Sequence, residues 1–76
     1  MIKCNIGDYI LEKNIITKSI YIGEVISKIS NEIEFRLIYT SNIFFSNYKN
    51  DIVTTLPNKY SYLYKLSEEE VFLELL

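Results

Sequence analysis

Hydrophobic and polar residues alternate along most of this chain, and that spacing is typical of β-strands that are buried on one face. The clearest case is the segment Asn31–Thr40, where every second residue is apolar and the residues between are mostly polar. Side chains at alternate positions of a strand point to opposite faces of the sheet. We therefore predict a strand whose buried face is formed by Ile33, Phe35, Leu37 and Tyr39.

Segments of similar character flank this strand. Branched and aromatic residues, which favour strands, are frequent in Asp8–Lys13, Ser19–Ser30, Ile43–Tyr48, Asp51–Leu56 and Tyr60–Leu66. Within the second of these segments, we expect Val25 and Ile29 to share one side. The joints are predicted from turn residues: a bulge or bend at Gly23, a hairpin at Ser30-Asn31 and a turn at Leu56-Pro57-Asn58-Lys59.

The last ten residues change to a helical pattern. Ser67 is a good N-cap, and Glu70 three positions later completes a capping box. Leu66 and Val71 are spaced to form the hydrophobic staple that fixes how the chain enters the helix. We therefore predict one short α-helix over residues 67–76, which must pack on the sheet because so short a helix is not stable alone.

Composition agrees with a mostly β fold, because the chain has thirteen Ile, seven Tyr and four Phe but no Ala. The segments Gly7-Asp8-Tyr9-Ile10 and Tyr21-Ile22-Gly23-Glu24-Val25-Ile26 resemble the opening strands of SH3-like barrels of the KOW and Tudor type. We expect residues 1–76 to form a single all-β domain. It would be a five- to six-stranded SH3-like barrel, with an OB-like barrel as second choice, or a rolled antiparallel sheet, with the helix at its end.

Charge is unevenly distributed along the chain. Residues 1–66 carry eight basic and six acidic residues, whereas residues 67–76 carry four glutamates and no basic residue. Residues 1–66 are therefore mildly basic and the tail is acidic. This distribution lacks the dense positive patch of a dedicated nucleic-acid binder. No signal peptide or membrane span is visible and Cys4 is the only cysteine, so we expect a cytoplasmic protein without a membrane partner. Its abundant Ile, Asn, Lys and Tyr indicate a low-GC genome.

Candidate chemistry is sparse. With no His and one Cys, the chain cannot assemble the usual zinc sites or a nucleophile–histidine pair. Glu32 and Glu34 alternate on a strand toward solvent, and Glu68–Glu70 fit the first turn of a helix. We therefore predict no enzymatic activity, no metal site and no cofactor.

The aromatic residues provide the candidate binding sites. Tyr60, Tyr62 and Tyr64 repeat every second residue, so they form a ladder on one face of a strand. Such a ladder stacks nucleic-acid bases or binds a protein, or its rings pair with neighbouring strands and half-cover the core. We favour the core-covering alternative because Leu66 continues the same face. A second candidate cluster lies beside a predicted turn and consists of Phe44, Phe45 and Tyr48.

The helix is apolar around most of its circumference. We expect Val71 and Leu75 to face the sheet, which leaves outward-facing candidates for a second contact: Phe72, Leu73 and Leu76. This contact would be a homodimer interface or a site for another protein. The predicted function is a non-catalytic protein-binding module, encoded by a phage or mobile element as a regulator or inhibitor of a host protein. The alternative is a single-strand nucleic-acid binder that uses the tyrosine ladder.

Overall fold

The computed structural model describes residues 4–30, 32–42, 50–55 and 60–76. These residues form five strands and one helix: β1 (Tyr9–Asn14), β2 (Ile20–Ile29), β3 (Glu32–Thr40), β4 (Ile52–Thr55), β5 (Ser61–Leu66) and α1 (Glu68–Leu75). All strand pairs are antiparallel, and the strand order is β4-β3-β2-β1-β5. The predicted β-rich fold with a C-terminal helix is confirmed. The predicted strand at Ile43–Tyr48 and the predicted turn at Leu56–Lys59 lie outside the described residues.

The five-stranded sheet is open and curled. Strands β4 and β1 are separated by two other strands, yet the Thr55 hydroxyl donates a hydrogen bond to the Glu12 carboxylate. Val53 and Leu63, one from each edge strand, pack against the same apolar cluster. Both contacts require the sheet to roll around its inner face, although β4 and β5 form no ladder with each other in the described ranges.

The inner face of the rolled sheet holds the main core. Its buried residues are at most 3% exposed and comprise Cys4, Ile10, Val25, Ile33, Phe35 and Leu37. The alternation predicted for β3 is therefore confirmed for Ile33, Phe35 and Leu37. It is wrong for Tyr39, which is 38% exposed. The register explains the difference, because Ile22 pairs with Tyr39 and Gly23 with Leu37, so Ile38 is an extra residue that turns Tyr39 to the outer face.

A second irregularity in the register alters β2. Val25 pairs with Phe35 and Ser27 with Glu34, so Ile26 is the extra residue there. One inserted residue reverses the side on which later residues lie. The prediction that Val25 and Ile29 share one side is therefore wrong: Val25 is buried, and Ile29 is 63% exposed.

The irregularity predicted at Gly23 is confirmed, because the register shifts between Ile22 and Gly23, although the extra residue is Ile38 of β3. Packing explains why position 23 is glycine. A Cβ atom added to Gly23 would overlap the Cδ2 atom of the Phe35 ring and lie 2.5 Å from the Arg36 carbonyl oxygen. The absence of a side chain allows β2 and β3 to approach each other over the core.

The C-terminal helix begins as predicted. The Glu70 amide donates to the Ser67 hydroxyl over 3.1 Å, and the Ser67 amide donates to the Glu70 carboxylate over 3.0 Å. This capping box satisfies two backbone donors at the helix start. Leu66 and Val71 are buried together with Ile22 in a second cluster on the outer face of the sheet, which confirms the staple. Among the described residues, no helix is long and apolar enough to cross a membrane.

Candidate protein-binding surface

The tyrosine ladder lies on the outer face of the sheet. Tyr62 pairs with Lys13 and Tyr64 with Leu11, and the two rings have centroids 6.4 Å apart with a tilt of 42°. Tyr62 is 52% exposed, and Tyr64 is 50% exposed. Tyr60, which immediately precedes the strand, is 43% exposed.

Tyr62 and Tyr64 pair with the neighbouring strand β1, as the core-covering alternative predicted, and each ring stays about half exposed. The choice between core cover and binding site stays a prediction. Leu63, on the opposite side of β5, is the residue that packs against the inner core. Leu66 does continue the tyrosine face, but it is buried in the cluster that contains Val71 of α1. The helix covers that end of the strand and leaves Tyr62 and Tyr64 half-exposed.

The outer face also contains an apolar row that crosses four strands. Backbone pairing places Tyr39, Ile22, Leu11 and Tyr64 side by side. Ile22, near the middle of the row, is fully buried, whereas both tyrosines at its ends are exposed. The row is therefore covered at its centre and open to solvent at both ends.

Helix α1 exposes most of its apolar side chains. Val71 is the buried one, at 7% exposure, and Leu75 is 46% exposed. The predicted orientation is right for Val71, but Leu75 is not buried. The most exposed apolar residues of the tail are Phe72 at 65%, Leu73 at 60% and Leu76 at 88%.

An open groove of about 410 Å³ lies between one side of α1 and the sheet. It is lined by Tyr9, Ile38, Glu68, Val71, Phe72 and Leu75. The groove explains why Leu75 stays accessible, since it stands over a space rather than against packed side chains. Tyr9 and Ile38 were not predicted as site residues. Ile38 joins the groove at the bulge opposite Gly23. Gly23 indicated an irregularity at this point, but not that Ile38 of β3 would be the extra residue.

The charges around the helix are one-sided. Glu68, Glu69 and Glu70 occupy its first turn, and no basic residue occupies its last turn. In the described part of the chain, the ion pair is that of Lys65 with Asp8, at 3.4 Å, so no helix glutamate is paired there. The pKa of the Asp8 carboxyl is lowered, chiefly because the Asn5 amide donates to it and also because Lys65 lies beside it.

The titratable groups form no metal site among the residues that the structure describes, where no three His, Cys, Asp or Glu side chains are placed to hold an ion. Cys4 is a buried part of the core. Burial raises the pKa of the Glu12 carboxyl, and the hydrogen bond from Thr55 opposes that shift. Glu12 therefore has a structural role, because its hydrogen bond with Thr55 links β1 to β4.

The candidate cluster of Phe44, Phe45 and Tyr48 lies outside the described residues. The structure brings the other candidates to one side of the molecule, because the tyrosine ladder and the buried side of α1 both belong to the outer face. What this arrangement offers chemically is accessible apolar and aromatic surface bordered by carboxylates.

Comparison with known proteins found no match: no protein-family model, no curated protein and no solved structure is similar to this chain.

Proposed function

We propose that this protein is a non-catalytic protein-binding module and that α1 presents its contact surface. The observation that carries the proposal is the exposure of Phe72, Leu73 and Leu76, next to the groove beneath the helix. A single exposed Leu is ordinary on a protein surface. Several large apolar side chains within five residues form a patch, and such patches are typical of interaction sites.

The helix is also ordered before any partner binds. Its start is held by the capping box, and Val71 anchors it to Ile22 and Leu66. A contact element that is already ordered loses little conformational entropy when a partner docks. An exposed helix face of this kind fits into an apolar groove of another protein.

The proposal also covers the type of fold, the cellular location and the biological role. The last strand, β5, returns to pair with the first, β1, and the sheet curls around one core. This arrangement supports an SH3-like barrel. We further propose that the protein acts in the cytoplasm as a regulator or inhibitor of a host protein, encoded by a phage or mobile element.

A second candidate function is binding of single-stranded nucleic acid. It is supported by the two half-exposed rings of Tyr62 and Tyr64, with the exposed Lys13 paired opposite Tyr62. Bases stack on such aromatic side chains. The acidic tail opposes this function, because its four glutamates would repel phosphates.

Affinity capture tests the proposal. The protein and two variants, Leu73→Glu and Ile16→Glu, are immobilised at equal amounts of folded chain and exposed to host lysate treated with nuclease. Ile16 is a matched control because it is 66% exposed and lies in the turn between β1 and β2, away from the helix. We expect a protein retained by the unchanged chain and by Ile16→Glu but lost by Leu73→Glu.

The retained protein is then purified and titrated at low and high salt beside a single-stranded oligonucleotide. Apolar docking of a protein predicts a Kd that changes little with salt compared with the steep dependence of phosphate binding. Tight, salt-sensitive binding of the oligonucleotide that Tyr64→Ala abolishes would support the second candidate instead. Capture that is equal for all three chains would overturn α1 as the contact surface.

A further inference from the structure

We infer that the occupant of the α1 surface is a different protein whose apolar groove is rimmed by Lys and Arg, and not a second copy of this chain. This inference rests on the proposed function and specifies the chemistry of the partner. Its basis is the combination of exposed apolar side chains with helix carboxylates that form no ion pair among the residues the structure describes.

The exposed apolar stripe is bordered by glutamates. At about 100° per residue, Phe72, Leu76 and Leu73 follow one another around the side of α1 that faces away from Val71. Glu69 lies on the same side, one turn before Phe72 and Leu73. Glu74 follows Leu73 around the helix, between the stripe and Val71. Both carboxylates belong to exposed residues.

These carboxylates are not neutralised within the chain. Glu70 is engaged by the amide of Ser67, which leaves Glu68, Glu69 and Glu74 without an ion pair in the described ranges. The mildly basic body contributes no Lys or Arg to them there. A partner with a basic rim would therefore meet the apolar stripe and the surrounding charge at the same time, and such complementarity speeds association and selects the partner.

Self-association conflicts with the same charges. In a two-fold dimer the same patch contacts itself. Pairing α1 with its copy would bring two sets of four glutamates together with no basic residue in either tail. Like charges placed opposite each other disfavour a complex. The exposed apolar stripe alone would permit a homodimer. Because the charges oppose it, we do not propose a second copy as the partner.

Two synthetic peptides test the chemistry without a known partner. One is an amphipathic helix of Leu and Lys at heptad spacing, and the other has Glu in place of every Lys. We expect the protein to bind the Leu/Lys peptide at least about tenfold more tightly than the Leu/Glu peptide, and to remain a monomer by light scattering.

Variants separate docking from general charge attraction. Leu73→Glu adds a negative charge yet removes an apolar contact, so it should weaken binding of the Leu/Lys peptide about tenfold, whereas Ile16→Glu should not weaken it. The double change Glu69→Gln with Glu74→Gln should weaken binding about threefold to tenfold and reduce its dependence on salt. The double change Glu32→Gln with Glu34→Gln, on β3 rather than on α1, is the matched control for loss of two charges.

Several outcomes would overturn the inference. Stronger binding by Leu73→Glu would mean that charge alone attracts the peptide. Equal binding of both peptides, or of neither, would mean that a basic rim is not what the surface recognises. A dimer that Leu73→Glu converts to a monomer would identify a second copy as the occupant. Each of these results leaves the capture experiment to decide independently whether α1 binds a protein.

Discussion

The two faces of the sheet differ in how fully their apolar side chains are buried. On the inner face, six residues from four segments of the chain are at most 3% exposed, and side chains of both edge strands close over them. On the outer face, Ile22, Leu66 and Val71 are buried against Tyr9 and Leu11, which are only partly buried, and Tyr39 and Tyr64 at the ends of the apolar row are exposed. The inner face needs nothing further to be covered. The outer face leaves apolar surface accessible, and this is the surface that we assign to binding.

The largest expected effect is on the inner face. Phe35 is fully buried at the centre of the core, so Phe35→Ala should lower the free energy of unfolding by about 3–5 kcal/mol. In a domain of 76 residues, that loss would remove most of the stability. Chemical denaturation of the variant beside Glu34→Ala, a change on the outer face of the same strand, measures the difference. Equal losses would show that the two faces do not differ as described.

A second prediction concerns the close approach of β2 and β3. Gly23→Ala places a methyl group against Phe35 and the Arg36 carbonyl, so we expect a loss of about 1–3 kcal/mol. Gly7 provides the control, because it has φ +97° but nothing within 4 Å of the position of an added Cβ. Gly7→Asn should lose about 1–3 kcal/mol through backbone strain alone, because φ +97° lies outside the left-handed region that Asn tolerates. A repacked Phe35 ring is therefore expected only in Gly23→Ala. A thermal midpoint that is unchanged in Gly23→Ala would contradict the packing described for the bulge.

The helix cap should contribute less. Ser67→Ala removes the hydroxyl that accepts from the Glu70 amide, and the expected loss is about 0.5–2 kcal/mol. Ser67→Asp, which keeps an acceptor at the N-cap, should retain most of the stability. Circular dichroism and denaturation check both variants. An unchanged midpoint for Ser67→Ala would mean that α1 is not docked on the sheet, contrary to the buried position of Val71.

The smallest effect on stability is expected at Glu12 of β1, which accepts a hydrogen bond from Thr55 of β4 where the rolled sheet brings these two strands together. Burial raises the pKa of this carboxyl above its ordinary value of 4.5, so between that value and the folded pKa the folded state binds more protons than the unfolded state. This group's contribution to stability therefore falls as the pH rises through that interval. Glu12→Gln removes the charge and retains an acceptor for Thr55, and it should stabilise the protein by about 1 kcal/mol or less at pH 7.

Comparing unfolding of the variant and the unchanged protein at pH 4 and pH 7 isolates this contribution. Asp8 also makes stability depend on pH: because its pKa is lowered, the stability it provides is present above pH 3.8 and is lost as the pH falls through the folded pKa. This contribution is the same in both proteins, so it cancels in the comparison. A benefit of Glu12→Gln that is larger at pH 4 than at pH 7 would contradict the stated cause.

Local patterns predicted the elements better than they predicted the faces. The alternation over Ile33, Phe35 and Leu37 and the Ser67–Glu70 capping box depend on neighbouring residues, and these predictions are confirmed. The sides of Ile29 and Tyr39 depend on the extra residues Ile26 and Ile38, which arise only when two strands pair. One inserted residue reverses the side of every later side chain in that strand. Gly23 indicated one of the two irregularities, but no local pattern indicated the other or which strand would carry the extra residue.

The binding candidates show the same limit. Periodicity correctly placed Tyr62, Tyr64 and Leu66 on one face, but it cannot say what covers that face. Leu66 is covered by α1, while the tyrosines lie beyond the helix. The groove also needs Tyr9 and Ile38 from distant parts of the chain, so only the folded sheet reveals it.

The most direct test of the division between the two faces is amide hydrogen exchange, measured with and without the purified partner from the capture experiment. We predict that the partner slows exchange in residues 68–76 and leaves the turn at residues 15–17 unchanged. The amides of β3 should exchange slowly in both states, because they belong to the inner core. Protection confined to residues outside the helix, with exchange in 68–76 unaltered, would contradict the assignment of α1 as the binding surface.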